Sequence, residues 1–189
     1  MNFNHILKGN FHRFFFSFPL FYLFVGLSLP PRVYGQDNGN PTFFTGQPPV
    51  FVGVHTPDST IAWPNAHYYF TFTLPPNAGE SIGQVTIQQQ QSPEMIALNV
   101  ANTYAFIGTQ GNKGQGLTTQ ASSLSQGTGV NVIFNPPVPP GTTFTVRLEA
   151  FRNPGLDTTY LYNVTVFPSG SNPTAFPIGV GQLSFYRLF

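Results

Sequence analysis

Two histidines, His55 and His67, are the only ones downstream of residue 35, and they are the first residues to consider for metal binding or general-base catalysis. Either role requires partners, because zinc sites use several His, Cys or carboxylate ligands and a base needs a group to orient it. The chain has no cysteine, and Asp58 is the single acidic residue close to His55. We therefore predict histidines at the surface or at strand edges, with neither a metal site nor a cofactor.

The serines and acidic residues form no recognisable hydrolase pattern. The one Gly-x-Ser-x-Gly match, GESIG over residues 79–83, is followed by the strand pattern GQVTIQQQ and not by the helix that the nucleophile elbow of serine hydrolases requires. Six acidic residues lie downstream of residue 35, so a scattered glycosidase-like pair stays open as an alternative. The sequence thus predicts a protein without enzymatic activity, and the alternative is a secreted hydrolase with a small, scattered active site. A cluster of His55, Asp58 and another acid in one cleft would favour the hydrolase.

Aromatic and charged residues on strand faces indicate surface recognition. Trp63, the only tryptophan, and Tyr69 accompany Thr- and Gln-rich faces that suit stacking and hydrogen bonding to a sugar. Arg147 and Glu149, two residues apart, share one polar strand face. Threonine is favoured in strands by propensity alone and exposed ion pairs are weak, so ordinary surface roles are the simpler interpretation. We keep Trp63, Tyr69, Arg147 and Glu149 as possible surface recognition residues.

Arg152 follows a strand whose inward residues end with Ala150, so strict alternation would point its side chain inward. An unpaired buried guanidinium is very unfavourable. The turn Asn153-Pro154-Gly155 can bring Asp157 back toward it. We therefore predict that Arg152 braces this turn by bonding to Asp157 or to backbone carbonyls, and that both residues serve the fold.

The elements that must position these residues are strands. Apolar residues alternate with polar ones over residues 68–74, 130–134, 144–150 and 160–166, and Pro/Gly turns separate the runs. Residues 110–116 read as a flexible loop. Turns every 8–12 residues predict a single antiparallel, immunoglobulin-like β-sandwich of about eight strands over residues 49–189. The predicted core contains Phe70, Phe72, Val132, Phe134, Phe144, Val146, Leu148, Tyr162 and Val164.

Residues 1–35 have the pattern of a cleaved signal peptide. Lys8 and Arg13 precede an apolar run over residues 14–29, and the small Gly35 closes the segment. The run is shorter than the roughly 20 residues that span a bilayer, which favours cleavage over retention as an anchor. Residues 36–48 are polar and turn-rich, so we predict a flexible N-terminal arm.

Charge and composition narrow the function classes further. Only 7% of the residues are charged, well below the roughly 25% of ordinary globular proteins. Downstream of residue 35, four basic residues face six acidic ones. This balance leaves no basic patch, so nucleic-acid binding is not expected.

Six segments carry a resemblance to a known family: YFTFTLPPNAGESIGQVTIQ (69–88), FIG (106–108), FNPPVPPG (134–141), RNP (152–154), YLYNVTVFP (160–168) and GVGQLSFY (179–186). Their order and spacing resemble a cyanobacterial family of exported proteins of unknown function, domain-of-unknown-function family 2808. The resemblance implies export in a cyanobacterium and brings no catalytic residues.

These observations predict an exported, non-catalytic β-sandwich of the cell envelope, in the periplasm or outside the cell, with a binding or structural role. Its partner is expected to be an envelope protein or a glycan, and membrane contact is expected only through an uncleaved signal peptide. The terminal LSFYRLF ends in Phe, as outer-membrane strands often do, which leaves a small outer-membrane β-barrel as a second alternative. Short strands and Pro-rich turns disfavour it.

Overall fold

The computed structural model describes residues 39–188, so the predicted signal peptide and the first residues of the arm lie outside the described part of the chain. Two short 3-10 turns, Val100–Asn102 and Ser125–Gly127, interrupt the strands. The ten strands are β1 Val50–His55, β2 Pro64–Leu74, β3 Ile82–Gln89, β4 Tyr104–Thr109, β5 Asn112–Leu117, β6 Thr119–Ser123, β7 Gly129–Val138, β8 Thr142–Arg152, β9 Thr159–Pro168 and β10 Phe176–Ser184.

The strands form two antiparallel five-stranded sheets. The first sheet has the order β1-β2-β8-β4-β5 and the second has the order β10-β9-β3-β7-β6. The predicted immunoglobulin-like β-sandwich is confirmed, with ten strands instead of about eight. Within residues 39–188, β1 and β5 are the edge strands of the first sheet and β10 and β6 are those of the second, so neither sheet closes on itself. No helix in this range is long and apolar enough to cross a membrane.

The core lies between the sheets and follows the alternation of the sequence. Phe72 of β2 stacks on Phe144 of β8 with ring centroids 5.0 Å apart, and Phe134 of the second sheet meets Phe144 edge-on at 5.4 Å. Such aromatic pairs stabilise the core beyond the area that they bury. The nine predicted core residues are all at most 3% exposed: Phe70, Phe72, Val132, Phe134, Phe144, Val146, Leu148, Tyr162 and Val164.

The predicted flexible loop over residues 110–116 is in fact the hairpin that carries β5. Gly108 permits it, because its φ is +93° and a Cβ there would lie 2.2 Å from the carbonyl oxygen of Asn112. Five of the six residues of β5 are exposed, so the strand has no apolar alternation to reveal it. It pairs with β4 in antiparallel register, and the Lys113 ammonium lies 5.4 Å from the Phe106 ring on that strand.

The predicted flexible arm is attached to the sandwich from Thr42 onward. The backbone N–H of Thr42 donates to Asn172 (2.8 Å), and that of Gly46 donates to Ala78 (3.1 Å). Between them, Phe44 packs against the core and meets the ring of Phe176 edge-on at 6.0 Å. The flexibility of residues 36–48 stays a prediction, and within that range one aromatic side chain and paired backbone groups contact the sandwich.

Candidate functional site

The outer face of the first sheet brings together two of the predicted recognition residues, Tyr69 and Arg147, which are register partners on β2 and β8. Tyr104 of β4 pairs with Arg147 on its other side, and the Arg147 guanidinium lies 4.2 Å from the Tyr104 ring centroid. The Lys113 ammonium lies 5.4 Å from the Tyr69 ring. Tyr69 is only 8% exposed and Tyr104 is 36% exposed, so Tyr104 is the ring of this row that offers a contact surface.

Glu149, a third predicted recognition residue, is buried and holds a loop in place. Its carboxylate accepts hydrogen bonds from the side-chain amides of Asn99 (2.9 Å) and Asn102 (2.8 Å), and its backbone carbonyl accepts the N–H of Asn99. The Asn102 amide, more than the nearby Arg147 guanidinium, lowers the pKa of Glu149, although partial burial opposes the shift. At 8% exposure, Glu149 contributes mainly to the packing of residues 97–102 against β8.

His67 lies between two carboxylates on this face. Its Nδ1 is 3.6 Å from the Asp58 carboxylate and its Nε2 is 3.4 Å from the Glu149 carboxylate. The Asp58 carboxylate also accepts the backbone N–H of His67 at 3.0 Å. The sequence placed Asp58 with His55, whereas the fold pairs it with His67. Within residues 39–188, no group of three or more His, Cys, Asp or Glu side chains has the arrangement of a metal site.

Asn153 joins the loops at one end of the sandwich. Its side chain is 2% exposed, and its Oδ1 accepts the hydroxyl of Tyr68 at 2.7 Å. Its Nδ2 donates to the carbonyls of Asp58 and Thr60, and its backbone N–H donates to the carbonyl of Trp63 (2.8 Å). One amide thereby ties the β8–β9 turn to the β1–β2 loop and to the core. Burial, more than the charge of Asp58, raises the pKa of Tyr68.

Trp63 is presented at this end by a distorted backbone. It is 46% exposed, and the residues on either side of the Trp63-Pro64 pair, Ala62 and Asn65, have φ of +55° and +50°. Non-glycine residues adopt such angles only when their surroundings impose them. Here the N–H of Ala62 donates to the carbonyl of Pro154 at 2.9 Å. The loop is thus held in a form that leaves the indole in solvent.

Hydrogen bonds connect four segments at the same end. The bonds run from the N–H of Tyr186 to the Ser59 carbonyl (2.9 Å), from Ala62 to Pro154, and from the Gly155 N–H to the Glu94 carboxylate (2.8 Å). Each segment carries at least one large apolar side chain in solvent. The four nearest to these bonds are Trp63, Met95, Leu156 and Tyr186, at 43–56% exposure. We call these four side chains the apolar crown.

The predicted turn brace differs from the observed one. β8 continues through Arg152, which pairs with Pro64 and is exposed. Its side chain makes no hydrogen bond or ion pair with residues 39–188, and the Asp157 carboxylate instead accepts the N–H of Arg187 at 3.3 Å. Phe151 and Arg152 are both exposed, so the alternation of β8 fails at its last residue. The next residue, Asn153, is the buried one, and it braces the turn.

No role was predicted for Tyr104 or Lys113, and Asn153 was placed in a turn without the buried contacts that it makes. Tyr104 and Phe106 do alternate along β4, and that spacing was the available signal for the row. Asn153 had no such signal, because its partners Tyr68, Asp58 and Thr60 lie 85 to 95 residues away in the sequence.

Three solved structures are similar to part of this chain at low sequence identity. They are the collagen-binding domain from a Staphylococcus aureus adhesin (8% identity, TM-score 0.41, 72% of this chain and 97% of that one), ACE19, the collagen-binding subdomain of the Enterococcus faecalis surface protein ACE (14%, 0.45, 73% and 98%), and an uncharacterized protein from Nocardia farcinica with an immunoglobulin-like fold (14%, 0.42, 70% and 96%). Similarity at this level assigns neither a ligand nor a function.

The sequence has no significant match among the curated proteins. A family model described as "Protein of unknown function (DUF2808)" matches residues 41–185, which include all ten strands. The chain therefore belongs to this family of proteins of unknown function.

Proposed function

We propose that this chain is an exported, non-catalytic binding module of the cell envelope and that it binds a partner protein through the apolar crown. The observation that carries the proposal is the exposure of four large apolar side chains on loops that are fixed by hydrogen bonds to one another and to the buried Asn153. Trp63, with half of its surface in solvent, has backbone distortion on both sides and the Asn153 network beneath it. Loops at one end of a β-sandwich are a common place for binding residues.

The chemistry of the crown fits a protein surface better than a sugar. Tryptophan and tyrosine are enriched among the residues that dominate the affinity of protein interfaces. Met95 and Leu156 add flexible aliphatic surface, which fits an apolar pocket and offers no hydrogen bond to a sugar hydroxyl. Charged side chains lie around the crown, including Glu94, Asp157 and Arg187. An apolar centre with a polar rim is the usual anatomy of such an interface.

Export rests on the amino-terminal sequence. The basic residues, the apolar run over residues 14–29 and the small Gly35 together have the order of a secretory signal, with cleavage after Gly35. A protein that leaves the cytoplasm in this way reaches the periplasm or the outside of the cell. The partner is accordingly an envelope or extracellular protein.

The proposal is tested by affinity capture from envelope fractions of the native host, with residues 36–189 as bait. A partner identified by capture is then titrated against the wild type and against Trp63→Ala. We expect the substitution to weaken binding about thirtyfold, because a hot-spot residue contributes about 2 kcal/mol.

Phe43→Ala is the matched control. Phe43 is 51% exposed, comparable with Trp63, and lies in the amino-terminal segment outside the crown. Its replacement should leave the affinity unchanged. If Trp63→Ala and Tyr186→Ala bind the partner as tightly as the wild type, the crown is not the binding surface.

A further inference from the structure

The outer face of the second sheet carries no charge. None of its five strands, β10, β9, β3, β7 and β6, contains Asp, Glu, Lys, Arg or His. In ordinary globular proteins about a quarter of all residues are charged, so a solvent-facing sheet is expected to carry several such residues. In the first sheet, by contrast, β8 alone contributes Arg147, Glu149 and Arg152.

The polar residues of this face carry amide and hydroxyl groups, and those on neighbouring strands are register partners. In the central row, Thr86 of β3 is flanked by Asn131 of β7 and Thr165 of β9. In the next row, Gln88 of β3 is beside Asn163 of β9. We call these five side chains, together with Gln84 of β3, the amide face. Neighbouring rows of one face are about 7 Å apart and neighbouring strands about 5 Å, so the groups form a regular grid.

Hydrogen bonds within the protein orient three of these amides. The Gln88 amide donates to the Thr128 hydroxyl at 3.3 Å, and the two asparagines accept. The Thr86 hydroxyl donates to Asn131 Oδ1 at 3.3 Å, and the Gln90 amide donates to Asn163 Oδ1 at 2.7 Å. For Asn131 and Asn163, the carbonyl oxygen is therefore engaged by the protein. The amide nitrogens of Asn131 and Asn163 have no partner among residues 39–188, so their donors are available to a ligand.

Apolar side chains lie between the polar ones. Gln84 is flanked in its row by Ile133, which is 42% exposed, and by Phe167. Asn163 is flanked by Val180, which is 46% exposed. The face therefore alternates hydrogen-bonding groups with small apolar surfaces, and both are uncharged.

We infer that the amide face binds a neutral polysaccharide, independently of the protein partner proposed for the apolar crown. A sugar ring presents hydroxyls, which donate and accept, beside C–H surfaces. The uncharged amides and hydroxyls can bond to the sugar hydroxyls, and the side chains of Ile133, Phe167 and Val180 can pack against the C–H surfaces. An anionic polymer would meet no cation on these strands, whereas a neutral polymer loses no ionic hydration. A regular grid across three strands suits an extended chain with repeated weak contacts.

The test is affinity electrophoresis and calorimetry with two soluble neutral polymers, a mixed-linkage β-glucan and amylose, with alginate as the anionic comparison. The wild type should be retarded by at least one neutral polymer and not by alginate. The triple variant Gln84→Ala, Gln88→Ala and Asn163→Ala should bind about tenfold more weakly, because each lost hydrogen bond makes a modest contribution. Its melting temperature should stay close to that of the wild type, because the bonds lost with Gln88 and Asn163 are exposed and water can replace them.

Two controls separate this inference from the proposed function. Thr143→Ala, on the outer face of the first sheet, should leave polysaccharide binding unchanged, and so should Trp63→Ala. A wild type that neither neutral polymer retards overturns the inference, as does a triple variant that binds like the wild type. Sedimentation that shows self-association lost in the triple variant would also overturn it, because the face would then be an interface between two copies.

Discussion

Replacing Asn153 with alanine should destabilise the whole sandwich, although the residue lies in a turn. The substitution removes the acceptor of the Tyr68 hydroxyl and the donor to two carbonyls of the β1–β2 loop. Tyr68 is fully buried, so its hydroxyl cannot reach water in the native state. The partners in the loop, Asp58 and Thr60, are partly exposed, and water can solvate their carbonyls once the amide is gone.

The magnitude follows from this difference in burial. A buried donor without a partner costs about 1–3 kcal/mol, and each of the other two bonds contributes about 0.5–1.5 kcal/mol before water replaces it. We expect a loss of about 3 kcal/mol in the free energy of unfolding for Asn153→Ala. For a domain of this size, that corresponds to a fall of about 6–12 °C in the melting temperature.

The assay is urea unfolding followed by far-ultraviolet circular dichroism and by the fluorescence of Trp63, whose carbonyl accepts the Asn153 N–H. Tyr68→Phe removes the same buried bond from its other end, so the double variant should be about 1 kcal/mol more stable than additivity requires. Arg152→Ala is the matched control and should change stability by less than about 0.5 kcal/mol, because Arg152 is exposed. A near-neutral Asn153→Ala, or strict additivity with Tyr68→Phe, would refute the reasoning.

Two further predictions concern the core and the acid response. Phe144→Ala should lower the free energy of unfolding in urea by about 3–5 kcal/mol, since it removes a ring that contacts Phe72 of its own sheet and Phe134 of the other. Thr143→Ala, on the outward face, should lower it far less. Comparable losses would contradict the assignment of the two faces. The pKa of Glu149 is lowered in the fold, so its stabilising contribution is present above its ordinary pKa of 4.5 and is lost as the pH falls through the lower folded value. Glu149→Gln should therefore be destabilised relative to the wild type at pH 7 and approach it in acid, and a pH-independent difference in melting temperature would argue against this linkage.

Much of the fold was predictable because the period of a strand is local. The alternation in β2, β7, β8 and β9 is visible in a window of a few residues, and it identified the nine core residues and the sandwich. Thr145 shows the limit of that signal. It faces outward as alternation requires, yet it is fully buried, and its hydroxyl donates to the Gly108 carbonyl on the neighbouring strand.

The sequence alone therefore determined the class of fold, the inward face of each long strand and the low charge of the surface, since these depend on composition and on near neighbours. Only the tertiary structure decided that β5 is a strand, that Asn153 rather than Arg152 holds the turn, and that Asp58 meets His67. It also decided which outward residues share a row on the amide face and which loops meet at the apolar crown. Each of these depends on register and chain reversal, which bring together residues dozens of positions apart, and no local pattern encodes such contacts.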